Sequence, residues 1–148
     1  MDNKNNDYSI VFSQVQKAYG KNIVINNLNL EIGKGERLIL LGPSGCGKTT
    51  TLRMIAGFEE ITKGDLFMGG ARVNDVAPGE RNIAMVFQSY ALFPHLSVWE
   101  NITFGLQLQK LPQAEIEKRT RQALELLHLE GYENKKTHEL SGGQKQRV

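Results

Sequence analysis

The chain has 148 residues, of which 40% are hydrophobic and 23% are charged, a composition typical of globular proteins rather than of disordered or fibrous chains. The formal net charge is +2, and because basic and acidic residues are interspersed, the sequence does not predict a nucleic-acid partner. The single cysteine, Cys46, excludes an internal disulfide bond and fits a reducing compartment.

The N-terminal segment, residues 1–7, is polar, and we expect it to be a disordered tail because nothing in it could be buried. It lacks the apolar core of a secretory signal, and no later run approaches the roughly 18 apolar residues of a membrane span. We therefore expect any membrane association to be made through a partner.

Strand patterns follow in two kinds. YSIVFSQV and IVINNLNLEI alternate apolar and polar residues, which predicts two half-buried antiparallel strands that turn near Tyr19-Gly20. RLILL (37–41) and NIAMVFQ (82–88) are continuous apolar runs, the pattern of strands buried on both faces, as parallel strands are. Between these two runs, GDLFMGGARV predicts a hairpin that turns at Gly69-Gly70.

Three helix signals are also present. Residues 48–56 contain no helix breaker and are followed by Gly57, which predicts a helix that ends there. Ser97 and Glu100 have the spacing of a capping box and predict a helix over 98–109. Pro112 suits the first turn of another helix, whose apolar stripe is formed by Ile116, Thr120, Ala123, Leu124 and Leu127.

A candidate phosphate loop, LGPSGCGKTT, occupies residues 41–50. It fits the pattern G-x-x-x-x-G-K-[ST] and lies between a predicted strand and a predicted helix, as that motif requires. Glycines let backbone N–H groups approach phosphate oxygens, and the helix adds its positive N-terminal end. Lys48 would reach the β- and γ-phosphates, and Thr49 would offer its hydroxyl to Mg²⁺. The candidate nucleotide-binding residues here are Gly42, Pro43, Ser44, Gly45, Cys46, Gly47, Lys48, Thr49 and Thr50.

The motif alone leaves an ATPase, a GTPase and a small-molecule kinase as alternatives. A GTPase would need an Asn-Lys-x-Asp run, and the nearest stretch, residues 134–137, lacks the aspartate. His95, His128 and His138 are isolated in the sequence and do not have metal-ligand spacing. Cys46 lies inside the loop, and we expect its thiol to have no role in nucleotide binding. An alkylating reagent that modifies this thiol could still block nucleotide entry.

Two later segments carry a family resemblance. LSGGQ, residues 140–144, is similar to the signature motif of ABC transporter ATP-binding subunits, and VFQSYALFPHLSVWENI, residues 86–102, resembles the region around their Q-loop. Residues 69–106 resemble most closely the subunits of sugar importers of the maltose and glycerol-phosphate type. Polyamine and ferric-iron importer subunits remain alternatives, because the segments GLQLQK and HELSGGQ resemble those subunits as well.

The resemblance implies an α/β fold of the P-loop NTPase class, with an antiparallel β edge and a helical insert. Residues 8–148 would form a partial ABC-type ATP-binding domain from which the C-terminal part of the core is absent. Its parts would be a phosphate-loop core (8–88), a helical subdomain (89–140) and the start of the signature helix (141–148).

The resemblance also implies roles for residues outside the phosphate loop. Tyr19 would stack on adenine, and Gln88 would contact Mg²⁺ and the attacking water, so that Lys48 and Gln88 are the candidate catalytic residues. The residues that would reach the ATP of a partner subunit are Ser141, Gly142, Gly143 and Gln144. Ser141 is also a good N-cap, and the glycines allow close backbone approach to an anion. The residues alone leave Tyr19 as a packing aromatic, Gln88 as a solvated strand end and SGG as a flexible turn.

The function implied is ATP binding and hydrolysis coupled to solute uptake, most closely sugar uptake. The implied partners are a second ATP-binding subunit in a homodimer, membrane-spanning permease subunits and, indirectly, a solute-binding protein. The chain would then be cytoplasmic and peripheral on the inner face of the membrane.

Hydrolysis in the family also needs a glutamate and a histidine that follow the signature motif, and the sequence stops at Val148. LELLHLE (124–130) does not substitute, because its apolar residues continue a helical stripe. We therefore expect a fragment that binds ATP without hydrolysing it, in which RLILL exposes an apolar face and unpaired backbone groups. The alternative is a short protein that binds nucleotide and never hydrolyses it.

Overall fold

A computed structural model of the chain describes residues 8–87 and 89–148. The predicted tail, residues 1–7, and the candidate catalytic residue Gln88 lie outside the described residues. The chain divides into two compact units, residues 1–85 and residues 86–148. Within the described ranges, no helix has the length and apolar character needed to cross a membrane.

The first unit contains a four-stranded sheet with the order β2-β1-β3-β4. Its strands are β1 (Tyr8–Tyr19), β2 (Asn22–Gly33), β3 (Lys63–Met68) and β4 (Ala71–Arg72), and each neighbouring pair is antiparallel. The predicted turn at Gly20 is confirmed, since Tyr19 pairs with Asn22 across it. The hairpin between β3 and β4 is confirmed as well, because Gly69 and Gly70 both have the positive φ that such a two-residue turn requires.

One helix, α1 (Lys48–Ala56), belongs to this unit. It ends as the sequence predicts, at Gly57, which takes the left-handed conformation at the helix C-terminus. Met54 is fully buried in a core with Phe12, Val15 and Leu66 of the sheet. A short 3₁₀ turn, Pro78–Glu80, lies near the end of the unit.

The runs predicted as buried parallel strands, 37–41 and 82–88, do not form strands over their described residues, 37–41 and 82–87, and there the prediction is wrong. Ile39 is 77% exposed, Leu41 87% and Val86 94%. An apolar run becomes a strand only where another strand takes up its backbone hydrogen bonds. The described strands pair only with one another, so these runs have no such partner. The apolar face expected for RLILL is therefore exposed.

The second unit is helical and contains α2 (Val98–Leu108), α3 (Gln113–Leu126) and α4 (Gly142–Arg147), with a 3₁₀ turn at Thr137–Glu139. The predicted capping box of α2 is confirmed by two reciprocal hydrogen bonds. The Glu100 N–H donates to Ser97 Oγ at 3.1 Å, and the Ser97 N–H donates to Glu100 Oε2 at 2.6 Å.

The apolar stripe of α3 faces the core of the second unit. Ile116, Thr120 and Leu124 are buried, and the last of them packs with residues Val98, Leu129 and Leu140. Pro112 precedes the helix as its N-cap rather than lying in its first turn. The helix extends to Leu126, so residues 124–130 do not form a strand, as expected.

Candidate nucleotide-binding site

The phosphate loop folds around glycines at positions where other residues would be strained. Gly42, Gly45 and Gly47 have φ values of 151°, 84° and 93°, which L-residues with a side chain rarely adopt. A Cβ added to Gly42 would lie 2.7 Å from Cys46 Sγ, and one added to Gly47 would lie 2.9 Å from Ile25 Cγ1. The loop therefore needs glycine at both ends, where the sequence motif has its two fixed glycines.

Lys48 places a positive charge directly over this loop. Its ammonium donates hydrogen bonds of 2.7 Å to the carbonyl oxygens of Gly42 and of Pro43, and it lies 3.4 Å from Cys46 Sγ. Lys48 is also the first residue of α1, whose first turn contains no acidic side chain. The ammonium and the positive helix end thus act in the same place, and the arrangement favours an anion such as a phosphate group.

The hydroxyls that follow Lys48 differ in their availability. Thr51 is buried, and its hydroxyl donates a hydrogen bond of 3.0 Å to the Gly47 carbonyl inside α1. Thr49 is exposed and Thr50 is half-buried. An exposed hydroxyl at the helix start is a suitable oxygen ligand for Mg²⁺ delivered with a nucleotide, so Thr49 fits the predicted role. The other predicted Mg²⁺ ligand, Gln88, lies outside the described residues.

The remaining predicted loop residues, Pro43, Ser44, Gly45 and Cys46, are all exposed. The loop borders a cleft of about 480 Å³ that is also lined by residues 24–29 and 40–41. Both the loop and this cleft belong to the first unit, so the structure presents the loop on an open surface of that unit.

Tyr19 ends β1 and is 47% exposed. From Val15 to Tyr19 the strand alternates, so Val15, Lys17 and Tyr19 share one face. Val15 is fully buried and Lys17 is only 7% exposed. The Lys17 ammonium lies 4.6 Å from the centroid of the Tyr19 ring, within the range of a cation–π interaction. Tyr19 is therefore an aromatic at the edge of the core with a cation against its ring.

Glu59 completes this group and holds the cation in place. The Lys17 ammonium is 2.8 Å from Glu59 Oε1 and donates a 2.8 Å hydrogen bond to the Glu60 carbonyl oxygen. Hydrogen bonds from Lys17 and then from the Tyr19 hydroxyl lower the pKa of the Glu59 carboxyl group. The sequence predictions missed both Lys17 and Glu59. Strand alternation could have placed Lys17 beside Tyr19, but no local signal indicates Glu59, which is 42 residues away from Lys17 in the chain.

The predicted signature residues form the start of α4 in the second unit. The Gln144 N–H donates to Ser141 Oγ at 3.3 Å, and the Ser141 N–H donates to Gln144 Oε1 at 2.8 Å. Ser141, Gly142 and Gly143 are exposed. A Cβ added to Gly143 would meet no atom within 4 Å, whereas one added to Gly142 would lie 3.1 Å from the Tyr90 hydroxyl. Ser141 is thus the predicted N-cap, with an accessible glycine backbone behind it.

Three curated relatives show similar identity to this chain. It is 54% identical to the osmoprotective compounds uptake ATP-binding protein GgtA of Synechocystis sp., over 95% of the chain. It is 53% identical to the maltose/maltodextrin import ATP-binding protein MalK of Yersinia pestis, again over 95% of the chain. It is 52% identical to the Fe(3+) ions import ATP-binding protein FbpC of Photobacterium profundum, over 97%. The aligned regions make up 39%, 38% and 41% of those relatives, so the chain spans about two fifths of their length.

A solved structure shares the fold. The dimeric ATP-binding cassette MJ0796 in a post-hydrolysis state, bound to ADP and Pi, superposes with a TM-score of 0.82 at 33% identity. The match covers 93% of this chain and 66% of that one. The sequence profile of the ABC transporter family matches residues 25–148, which include both the phosphate loop and the signature motif. The chain therefore belongs to the ABC transporter family, and its fold is part of that family's P-loop nucleotide-binding domain.

Proposed function

We propose that this chain is the ATP-binding part of an ABC importer ATPase. The observation that carries the proposal is the phosphate loop, where the Lys48 ammonium lies over the glycine-rich backbone at the positive end of α1. Membership of the family and the names of the three relatives, each an uptake or import ATP-binding protein, support it.

In the proposed complex, the loop residues Gly42 to Thr50 hold the phosphates of ATP and Tyr19 contacts its adenine. Lys48 neutralises charge on the β- and γ-phosphates, which is the main protein contribution to phosphoryl transfer in this class of site. Thr49 holds Mg²⁺, and Gln88 is proposed as a further ligand that also orients water. When bound, Mg²⁺ would supply positive charge that stabilises the charge developing on the phosphates.

The signature residues are proposed to act on a second molecule of ATP. Ser141, Gly142, Gly143 and Gln144 would meet the nucleotide held by the phosphate loop of a partner copy in a head-to-tail homodimer. Their exposed backbone and the capped start of α4 support this role, and MJ0796 offers a dimeric cassette with the same fold. Permease subunits, with a solute-binding protein outside, complete the proposed assembly, which places the chain on the cytoplasmic face of the membrane.

We propose a sugar as the transported solute, because residues 69–106 resemble sugar-importer subunits. The three relatives are named for osmoprotective compounds, maltose and Fe(3+), yet they differ by only two percentage points in identity. A ferric-iron importer therefore remains the main alternative, with a polyamine importer beside it.

For the 148-residue polypeptide by itself we propose ATP binding without turnover. Hydrolysis requires Mg²⁺, charge neutralisation and an oriented or deprotonated water. Lys48 and Thr49 serve the first two needs, whereas the family's glutamate base and switch histidine, as implied by the resemblance, follow the signature motif. The alternative is that this chain acts alone as a protein that binds nucleotide and never hydrolyses it.

Equilibrium binding and hydrolysis measured on the same sample test the proposal. We expect the 148-residue chain to bind MgATP, Lys48→Ala to weaken binding by at least about tenfold, and Lys34→Ala to leave it unchanged. Lys34 is an exposed lysine of the same unit and serves as the matched control. Equal binding by Lys48→Ala and the wild type would contradict the proposed site. Steady ATP hydrolysis that depends on Lys48 would contradict the proposed lack of turnover.

A further inference from the structure

Lys17 is a buried lysine, and burial of an ammonium is costly unless the charge is compensated. Its side chain is 9% exposed, and three partners surround its ammonium. These are the Glu59 carboxylate at 2.8 Å, the Glu60 carbonyl oxygen at 2.8 Å and the Tyr19 ring at 4.6 Å. The first two satisfy the cation and fix its position, so the ammonium is held against the aromatic ring.

Glu59 connects this group to the helix of the phosphate loop. It follows Gly57, the C-cap of α1, by two residues, and its Oε2 atom lies 3.9 Å from Nε of Arg53 in the last turn of that helix. The Tyr19 hydroxyl also contributes to lowering the pKa of this carboxyl group. One helix thus has the phosphate loop at its N-terminal end and, just after its C-terminal end, the carboxylate that anchors the Lys17 ammonium beside Tyr19.

We propose that Lys17 and Glu59 are positioning residues that hold Tyr19 as a cation-backed stacking surface for the base of the nucleotide. The inference rests on the proposed function, in which ATP occupies the loop and its base meets Tyr19. A cation on one face of an aromatic ring draws π density toward itself, so the opposite face stacks better on an electron-rich purine. Glu59 keeps the cation against the ring through its 2.8 Å ion pair with the Lys17 ammonium.

The test compares two ligands that share phosphates and differ in the base. Binding of MgATP and of magnesium triphosphate, which has no base, is measured by calorimetry on the 148-residue chain. Lys17→Met removes the cation and keeps a long side chain. We expect it to weaken MgATP binding about 5- to 20-fold and to change triphosphate binding less than about twofold. Lys17→Arg, which restores a cation, should recover most of the loss, and Lys63→Met at an exposed position of β3 is the matched control.

The other possible results each contradict either this inference or the proposed function. Equal losses for both ligands, or no loss for MgATP, would overturn the inference. If Lys17→Met does not fold by circular dichroism, Glu59→Gln replaces it, since we expect the same selective loss when the cation loses its anchor. Tyr19→Ala separates the two proposals. If that variant binds MgATP less tightly and the Lys17 and Glu59 variants do not, the site stands and the inference fails. If Tyr19→Ala binds MgATP as tightly as the wild type, the proposed contact between Tyr19 and the base fails. If the wild-type chain binds neither MgATP nor magnesium triphosphate, the proposed function itself fails.

Discussion

Arg81 is 9% exposed, and its guanidinium donates four hydrogen bonds to backbone carbonyls. Two acceptors, Met54 and Ile55 at 2.7 and 2.8 Å, belong to the last turn of α1, and the other two are Val73 and Val76. Burial lowers the pKa of the guanidinium but leaves the group charged at neutral pH. A cation at a helix C-terminus satisfies carbonyls that have no helical partner and complements the helix dipole. Arg81 therefore joins the phosphate-loop helix to the segment that follows β4.

The first prediction concerns this residue. Arg81→Met should lower the free energy of unfolding by about 3 kcal/mol, because four carbonyl groups each lose a hydrogen bond from the buried guanidinium. Arg119→Met is the control, since Arg119 forms an exposed ion pair with Glu115 on α3 and its loss should cost less than about 0.5 kcal/mol. Urea unfolding followed by circular dichroism would measure both. Equal costs for the two variants would show that the buried contacts of Arg81 do not stabilise the chain.

At the scale of elements, the start of α2 links stability to pH. Hydrogen bonds from the backbone and side chain of Ser97 lower the pKa of Glu100 from its ordinary value of 4.5, and Lys136 adds to the effect. A carboxyl group whose pKa is lowered in the folded state stabilises the chain above its unfolded-state pKa and loses that contribution as pH falls through the folded-state pKa. The capping box should therefore weaken under acid.

We expect Ser97→Ala to cost about 1 kcal/mol at neutral pH, the usual effect of losing a serine cap. Glu100→Gln should reduce the acid-induced loss of stability below pH 4.5, because the titrating group is gone. Glu125→Gln, at an exposed position of α3, is the control variant. Urea midpoints measured as a function of pH would test this. A Glu100→Gln profile that follows the wild type throughout the acid range would contradict it.

Elements that depend on neighbours in the chain could be predicted from the sequence, whereas those that depend on distant partners could not. The turns at Gly20 and Gly69, the start of α2 and the end of α1 follow from local backbone and capping requirements. RLILL has the composition of a buried strand, but the described sheet offers no partner for it. In the candidate site, the glycine positions and Lys48 could be predicted because the loop is contiguous. Glu59 could not, because only the fold brings it to Lys17.

At the scale of the whole molecule, the exposed apolar runs govern how the chain behaves in solution. Ile39 and Leu41 are 77% and 87% exposed, and they belong to a segment without strand partners among the described residues. Contiguous exposed apolar side chains next to unpaired backbone groups promote association between copies. We expect the 148-residue chain to self-associate at micromolar concentration, and the double variant Ile39→Lys/Leu41→Lys to reduce that association.

The control must be as apolar and as exposed, but must lie on a helix rather than in an extended segment. Leu108 and Leu126, at the ends of α2 and α3, are 70% and 79% exposed and meet this condition. Their double lysine variant should change self-association less than the variant in residues 37–41, because a helix offers no edge for pairing. Sedimentation velocity of the three chains would decide. If all three sediment alike, or if the helix variant is the less associated of the two, the unpaired run at 37–41 is not the cause of association.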